Sequence, residues 1–132
     1  MFTRFRSARP GNDLGALRRF YAEGLGLAVL AAWDDHDGFD GLVLGPAGAR
    51  GDWQIEFVAE RGVAAPRAPT PEHLLVQYVA DAAAVRAAVA RMAALGVATT
   101  PPNNPYWARR GARFVDPDGY GVVVCTVEES IP

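Results

Sequence analysis

The chain has 132 residues, of which 50% are hydrophobic and 21% are charged, with a formal net charge of −2. These values are typical of one soluble globular domain with its own core. The basic residues are all arginines and lie scattered along the chain, so no basic run predicts binding to nucleic acid. The N-terminus is polar and no apolar run approaches membrane-spanning length, so we expect neither a signal peptide nor a membrane partner. Cys125 is the single cysteine, and together these features predict a cytoplasmic protein.

The first part of the chain predicts five elements in the order βαβββ. Residues 2–8 form the first predicted strand, which the sequence Arg9-Pro10-Gly11 ends. The predicted helix follows, with Asn12 or Asp13 as its cap and an apolar stripe at spacings of three and four residues. The stripe consists of Leu14, Leu17, Tyr21 and Leu25. Three strands complete the module, at 27–33, 39–44 and 53–59, with a polar DDHDG turn between the first two.

A proline-rich segment separates this module from a second one. Residues 62–71 hold three of the ten prolines, which predicts a stiff, extended linker between module one at about 1–61 and module two at about 72–132. The second module repeats the order of elements and contains a long irregular loop at 101–110. Its predicted elements are strand 73–79, helix 81–95, strand 97–100 and strands 112–115 and 120–127.

Three sequence markers recur in register and predict an internal duplication. Asp13 and Asp81, which open the two helices, lie 68 positions apart, and Gly26 and Gly96, which follow them, lie 70 apart. Two Pro-x-Gly turns, at 46–48 and 117–119, lie 71 positions apart. One helix covers only one face of each small sheet, so the other face needs a partner or a ligand. Two modules side by side would enclose a groove with these faces.

The sequence also resembles a known superfamily. The phrase FYAEGLGL at the end of the first helix and the phrase FVDPDGYGVVV in the second module, together with the doubled βαβββ order, resemble the vicinal oxygen chelate superfamily. This group contains glyoxalases, bleomycin-resistance proteins and extradiol dioxygenases. The resemblance covers nearly the whole chain and implies an α+β fold of two tandem βαβββ modules that form a curved mixed sheet around a groove. It also implies a small-molecule ligand and a homodimer.

In metal-using members of this superfamily, each module offers a histidine on its first strand and a glutamate on its fourth. The matching positions here hold Arg6 and Glu56 in module one, and His73 and Val123 in module two. A zinc ion needs about three protein ligands at least. We therefore expect no cofactor. A divalent metal, if one were bound, would use Glu56 and His73.

Arg6, Glu56 and His73 are the candidate catalytic residues. Arg6 can pair with Glu56 on the adjacent strand, and the pair can bind a carboxylate, polarise a carbonyl or only stabilise the groove. His73 is either a proton-transfer residue or a locally hydrogen-bonded residue at the end of a strand. If all three side chains face the groove, they form a polar cluster in an apolar pocket.

Five further residues are candidates for ligand binding. Two bulky aromatic side chains in the long loop must pack against something, either the mouth of the pocket or a second subunit. The candidates are Gln54, Gln77, Asn104, Tyr106 and Trp107. His36 lies in the acidic DDHDG turn, but such tips favour these residues for turn formation rather than for metal binding. Cys125 lies among apolar strand residues and is predicted to fill the core.

Three classes of function follow from these features. The first is a binding protein of the bleomycin-resistance type, which needs no metal, and this class is favoured. The second is a metal-independent lyase or isomerase with Glu56 or His73 as base and Arg6 as electrophile. The third is a metal enzyme of the glyoxalase or dioxygenase kind acting on a small oxygenated metabolite.

Overall fold

A computed structural model of the protein describes residues 3–48 and 53–127. The chain divides into two compact units, Met1–Pro66 and Arg67–Pro132, and the division falls inside the predicted linker. In the described ranges, no helix is long and apolar enough to cross a membrane.

The first unit is a four-stranded sheet with one short helix. Its elements are β1 (Arg6–Pro10), α1 (Leu14–Arg18), a π-helical segment (Arg19–Gly24), β2 (Ala28–His36), β3 (Phe39–Gly45) and β4 (Gln54–Glu60). The strand order is β1-β4-β3-β2, in which β1 runs parallel to β4 and the other pairs are antiparallel. The first strand thus begins at Arg6 and extends to Pro10, later than predicted. Pro10 is tolerated because β1 is an edge strand.

The first helix begins at the predicted cap and covers one face of the sheet. The Asp13 carboxylate accepts a hydrogen bond from the backbone N–H of Ala16 at 3.0 Å. Asn12 has a different role, because its side chain both donates to and accepts from the backbone of Ala65 in the linker. The Tyr21 ring packs against the Phe57 ring with centroids 4.9 Å apart. This contact identifies the side of the sheet that the helix covers.

The β2–β3 hairpin has a tight polar tip. Asp37 and Gly38 both have positive φ, 53° and 88°, as a two-residue type I′ turn requires. The His36 side chain is 82% exposed there. No group of three or more His, Cys, Asp or Glu side chains that could hold a metal ion occurs in the described part of the chain.

The second unit repeats this plan with a three-stranded sheet. Its elements are β5 (Leu74–Val79), α2 (Ala82–Ala94), a 3-10 turn (Pro105–Ala108), β6 (Gly111–Val115) and β7 (Gly121–Thr126). The order is β5-β7-β6, with β5 parallel and β6 antiparallel to β7. The strand predicted at 97–100 is wrong, because only Thr100 forms a bridge, to Arg113. Pro101 and Pro102 follow directly and have no N–H with which to extend a ladder.

The two helices share their start and stop signals, which confirms the duplicated pattern. The Asp81 carboxylate accepts from the N–H of Ala84 at 2.9 Å, as Asp13 does in the first unit. Gly26 and Gly96 have φ near +80° after the two helices. Backbone N–H groups just beyond each glycine then bond back to free carbonyls of the last helical turn.

Candidate functional site

One face of each sheet lies opposite its helix, and we call it the distal face. Successive residues of a strand point to opposite faces, and Phe57 contacts the helical segment. Glu56 therefore lies on the distal face of the first unit, together with Val43, which is its partner on β3. Gln54 lies there for the same reason.

The distal face of the first unit carries a polar cluster centred on Arg6. Arg6 donates from Nε to Oε1 of Gln54 at 2.8 Å and from Nη1 to Oε1 of Glu56 at 2.8 Å. Gln54 is 8% exposed, and the side chains of Arg6 and Glu56 are 40% and 17% exposed. The predicted ion pair is thus present, half-shielded from water. A third candidate, Gln54, joins it as a neutral acceptor.

The strand register changes the assignment of His73. In the first unit, Arg6 lies opposite Gln54, two residues before Glu56. In the second unit, Gly121 is equivalent to Gln54. The residue opposite Gly121 is Leu74. Leu74 also lies seven positions before its capping aspartate, as Arg6 does. The match of His73 with Arg6 was therefore wrong by one residue, and a shift of one residue along a strand exchanges the two faces.

His73 itself lies just before β5 and is held locally. Its Nδ1 hydrogen-bonds with Oγ1 of Thr70 at 2.8 Å. Its ring meets the Tyr120 ring edge-on, with centroids 6.2 Å apart. His73 thus has the second of its two predicted arrangements, that of a locally hydrogen-bonded residue at the end of a strand.

Gln77 does not share the distal face. Gln77 lies opposite Val124 in β7. Val124 comes directly after Val123, just as Phe57, on the helix-covered face, comes directly after Glu56. By this correspondence Gln77 lies on the face equivalent to the helix-covered face of the first unit. The two candidate binding residues Gln54 and Gln77 therefore lie on non-equivalent faces of their sheets.

The residues at the superfamily's metal positions do not fit a divalent ion. These positions hold Arg6 and Glu56 in the first unit and, by register, Leu74 and Val123 in the second. Only Glu56 carries an atom that ligates metals, and Arg6 already occupies one of its oxygens. We derive no metal-dependent step from these residues.

The second unit contains a cavity of about 170 Å³ with aromatic walls. Tyr78, Tyr106, Trp107 and Arg110 line it, and Cys125, Thr126 and Val127 complete it. The Tyr106 and Trp107 rings pack edge to face with centroids 5.0 Å apart. Two of the predicted binding residues therefore line one cavity.

Asn104 and Cys125 support this cavity in different ways. The Asn104 side chain accepts from the N–H of Tyr106 at 3.0 Å and so begins the turn that carries both aromatic rings. Cys125 is 3% exposed, and burial raises the pKa of its thiol. Its burial confirms the prediction that Cys125 fills the core, and it also lines the cavity. Strand alternation could have placed it with Tyr78, its partner on β5.

Comparison with known proteins gives a consistent assignment. Residues 5–58 match the family of YycE-like N-terminal domains, and residues 72–126 match that of YycE-like C-terminal domains. The YycE protein of Bacillus subtilis (strain 168), whose function is unknown, is 36% identical over 118 residues, which cover 89% of this chain and 84% of that protein.

Two solved structures extend this comparison. The crystal structure of Bacillus subtilis YycE matches with a TM-score of 0.86 and 33% identity, over 97% of this chain and 92% of that chain. TnmS3, an antibiotic-binding protein from Streptomyces sp. CB03234, matches with a TM-score of 0.65 and 28% identity, over 93% of each chain. The chain therefore belongs to the YycE-like family and has the fold of the glyoxalase and bleomycin-resistance proteins of the vicinal oxygen chelate superfamily.

Proposed function

We propose that this protein binds a small organic molecule and releases it unchanged, without a divalent metal. The aromatic cavity of the second unit is the observation that carries this proposal. Flat aromatic walls with few polar groups are typical of sites for organic ligands. Arg110, an exposed residue that lines the cavity, adds a positive charge beside these rings.

The cavity holds one part of a larger molecule. Its volume of about 170 Å³ is below the roughly 300–1,000 Å³ of sites that enclose a whole drug-sized ligand. Tyr78 and Val127, which line it, are 57% and 56% exposed and extend the apolar wall outwards. A ring or a branched end fits inside, and the remainder lies along this exposed wall.

Two further observations support binding without metal chemistry. TnmS3, a relative with the same fold, is an antibiotic-binding protein. The charge of Arg6 opposes a cation beside Glu56. At about 5 Å and an effective dielectric constant of about 20, charges of +2 and +1 repel by roughly 7 kcal/mol.

We also propose that the protein is a homodimer. Several large apolar side chains are exposed in the single chain, including Phe5 at 60% as well as Tyr78 and Val127. Contact of such side chains with a second copy of the chain would remove their apolar surface from water, which favours association.

Tryptophan fluorescence tests ligand binding directly. A panel of aromatic antibiotics is titrated into the wild-type protein, Trp107→Ala and the matched control Trp53→Phe, in which the substituted residue lies outside the cavity. We expect at least one compound to bind, and Trp107→Ala to weaken it about tenfold, which equals about 1.4 kcal/mol. Mass spectrometry should recover the compound unchanged. Its conversion, abolished by Glu56→Gln, would instead favour a metal-independent lyase or isomerase.

A further inference from the structure

The second unit contains a buried arginine with no counter-charge among the described residues. Arg113, in β6, is 8% exposed. Its Nη1 donates to Oγ1 of Thr100 at 2.7 Å, and that hydroxyl is a neutral acceptor. Its Nε is buried and has no hydrogen-bond partner. No carboxylate in residues 3–48 or 53–127 forms an ion pair with it.

This arrangement is unfavourable unless something else supplies the missing charge. A guanidinium is always protonated in proteins, so it cannot escape its burial by losing a proton. A buried charge is normally paired and hydrogen-bonded, because desolvation is otherwise uncompensated. Arg113 has one neutral partner for its five N–H groups.

The guanidinium lies on the distal face of the second unit. Arg113 is opposite Val123 in the β6–β7 register. Its side chain extends over Gly121, since a Cβ atom at Gly121 would lie 3.1 Å from Nε and 3.3 Å from Nη2. The absence of a side chain at Gly121 therefore provides the room for the guanidinium.

The two units differ in how their distal faces are neutralised. In the first unit, the equivalent positions hold Arg6, Gln54 and Glu56, and Arg6 donates a hydrogen bond to each of the other two. In the second unit they hold Leu74, Gly121 and Val123, none of which offers a polar side chain. Arg6 and Glu56 thus neutralise one another in the first unit, whereas in the second no carboxylate of the described residues pairs with Arg113.

We propose that Arg113 binds an oxyanion of the ligand, a carboxylate, phosphate or phosphonate group. Nε and Nη2 form one edge of the guanidinium, and neither hydrogen-bonds to a residue in the described ranges. This edge matches the two oxygens of such a group. The hydrogen bond from Nη1 to Thr100 fixes the plane of the guanidinium. This inference rests on the proposed function, since it states the charge of the small molecule that the protein binds.

Simple anions test the site without knowledge of the natural ligand. Acetate, inorganic phosphate and methylphosphonate are titrated at constant ionic strength, with chloride as the reference, while the Arg113 Nε–H signal is followed by NMR and Tm by calorimetry. We expect a saturable shift of that signal and a rise in Tm with at least one anion. The anion that binds most tightly identifies the group.

Two variants and one control complete the design. Arg113→Met should abolish the rise in Tm, and without anion its Tm should be no lower than that of wild type, because an unpaired buried charge has been removed. Thr100→Val keeps the charge of Arg113 but removes the hydrogen bond that orients its guanidinium. It should weaken anion binding about threefold to tenfold. Arg86→Met, which removes an exposed arginine on α2, should behave as wild type.

Each result decides the proposal. No shift of the Nε–H signal with any anion, or equal anion responses in wild type and Arg113→Met, would overturn it. If Arg113→Met does not fold, the wild-type NMR titration and Thr100→Val still give the answer. If an anion binds but none of the aromatic compounds does, this inference holds and the proposed function is contradicted. If an aromatic compound binds but no anion does, the proposed function holds and this inference is contradicted.

Discussion

Arg6 donates a hydrogen bond from Nη1 to Oε1 of Glu56 at 2.8 Å, across two parallel strands of the first sheet. The residue directly opposite Glu56 is Ala8, so Arg6 reaches its partner diagonally along the distal face. The same side chain also binds Gln54, which fixes its position from two sides. The pair thus neutralises this face and occupies the position where a metal-using relative places a ligand.

Arg6→Met should destabilise the fold by about 1 kcal/mol, because Glu56 loses its partner while remaining mostly shielded from water. Urea unfolding measures the change. The double variant Arg6→Met with Glu56→Gln should recover part of the loss, since it removes the unpaired charge. Arg4→Met, at an exposed position on the same segment, is the control. If Arg6→Met lowers the free energy of unfolding no more than the control does, the pair makes no measurable contribution to stability.

We expect the wild-type protein to retain no tightly bound divalent metal. The reason is the donor set, since Glu56 is engaged by Arg6 and the position equivalent to Arg6 in the second unit is Leu74. Elemental analysis of untagged protein purified without chelator measures this, followed by titration with zinc, nickel, manganese and ferrous iron. One equivalent retained through dialysis and lost in Glu56→Ala or His73→Ala would instead favour a metal enzyme of the glyoxalase or dioxygenase kind.

The proposed dimer should be visible by sedimentation at about 100 μM, within the range of weak homodimers. Because Trp107 lines the cavity of the second unit, Trp107→Ala should leave the dimer dissociation constant within about threefold of wild type. A variant that became monomeric would place Trp107 at the subunit interface instead. A monomeric wild-type protein would refute the dimer itself.

The hairpin tip should show a local pH dependence. The backbone N–H of Asp35 and the Arg61 guanidinium hold the pKa of Asp40 below its usual value, the first being the larger cause. A depressed pKa in the folded state adds stability that is present above the unfolded pKa and is lost as pH falls through the folded pKa. Arg61→Met should raise the pKa of Asp40 only partly, because the Asp35 contact remains. Carboxyl NMR titration measures it, with Arg18→Met as a control.

Cys125 should react slowly in the folded protein. Burial raises the pKa of its thiol, so the thiolate fraction at pH 8 is smaller than for an exposed cysteine and increases only at higher pH. Alkylation by iodoacetamide at pH 8, followed by mass spectrometry, should be at least about tenfold slower than in urea-unfolded protein. Because Cys125 lines the cavity, a bound compound should slow it further. Equal rates in folded and unfolded protein would contradict this.

Local signals made the fold predictable from the sequence. Asp13 and Asp81 cap their helices through hydrogen bonds to residues three positions away, and Gly26 and Gly96 adopt the positive φ that ends a helix. Such interactions depend on short stretches of chain, so spacing alone identifies them. The Arg6–Glu56 pair followed from strand alternation together with the superfamily resemblance.

The remaining features depend on how strands align, which the sequence alone does not determine. The β5–β7 register places Leu74, and not His73, opposite Gly121, and one residue of shift exchanges the two faces of a strand. The burial of Arg113 depends equally on tertiary structure, because its guanidinium fits only over a glycine on the neighbouring strand. The sequence thus determined the two modules and their helices. Tertiary structure decided which side chains reach the distal faces, because strand pairing joins residues far apart in the chain.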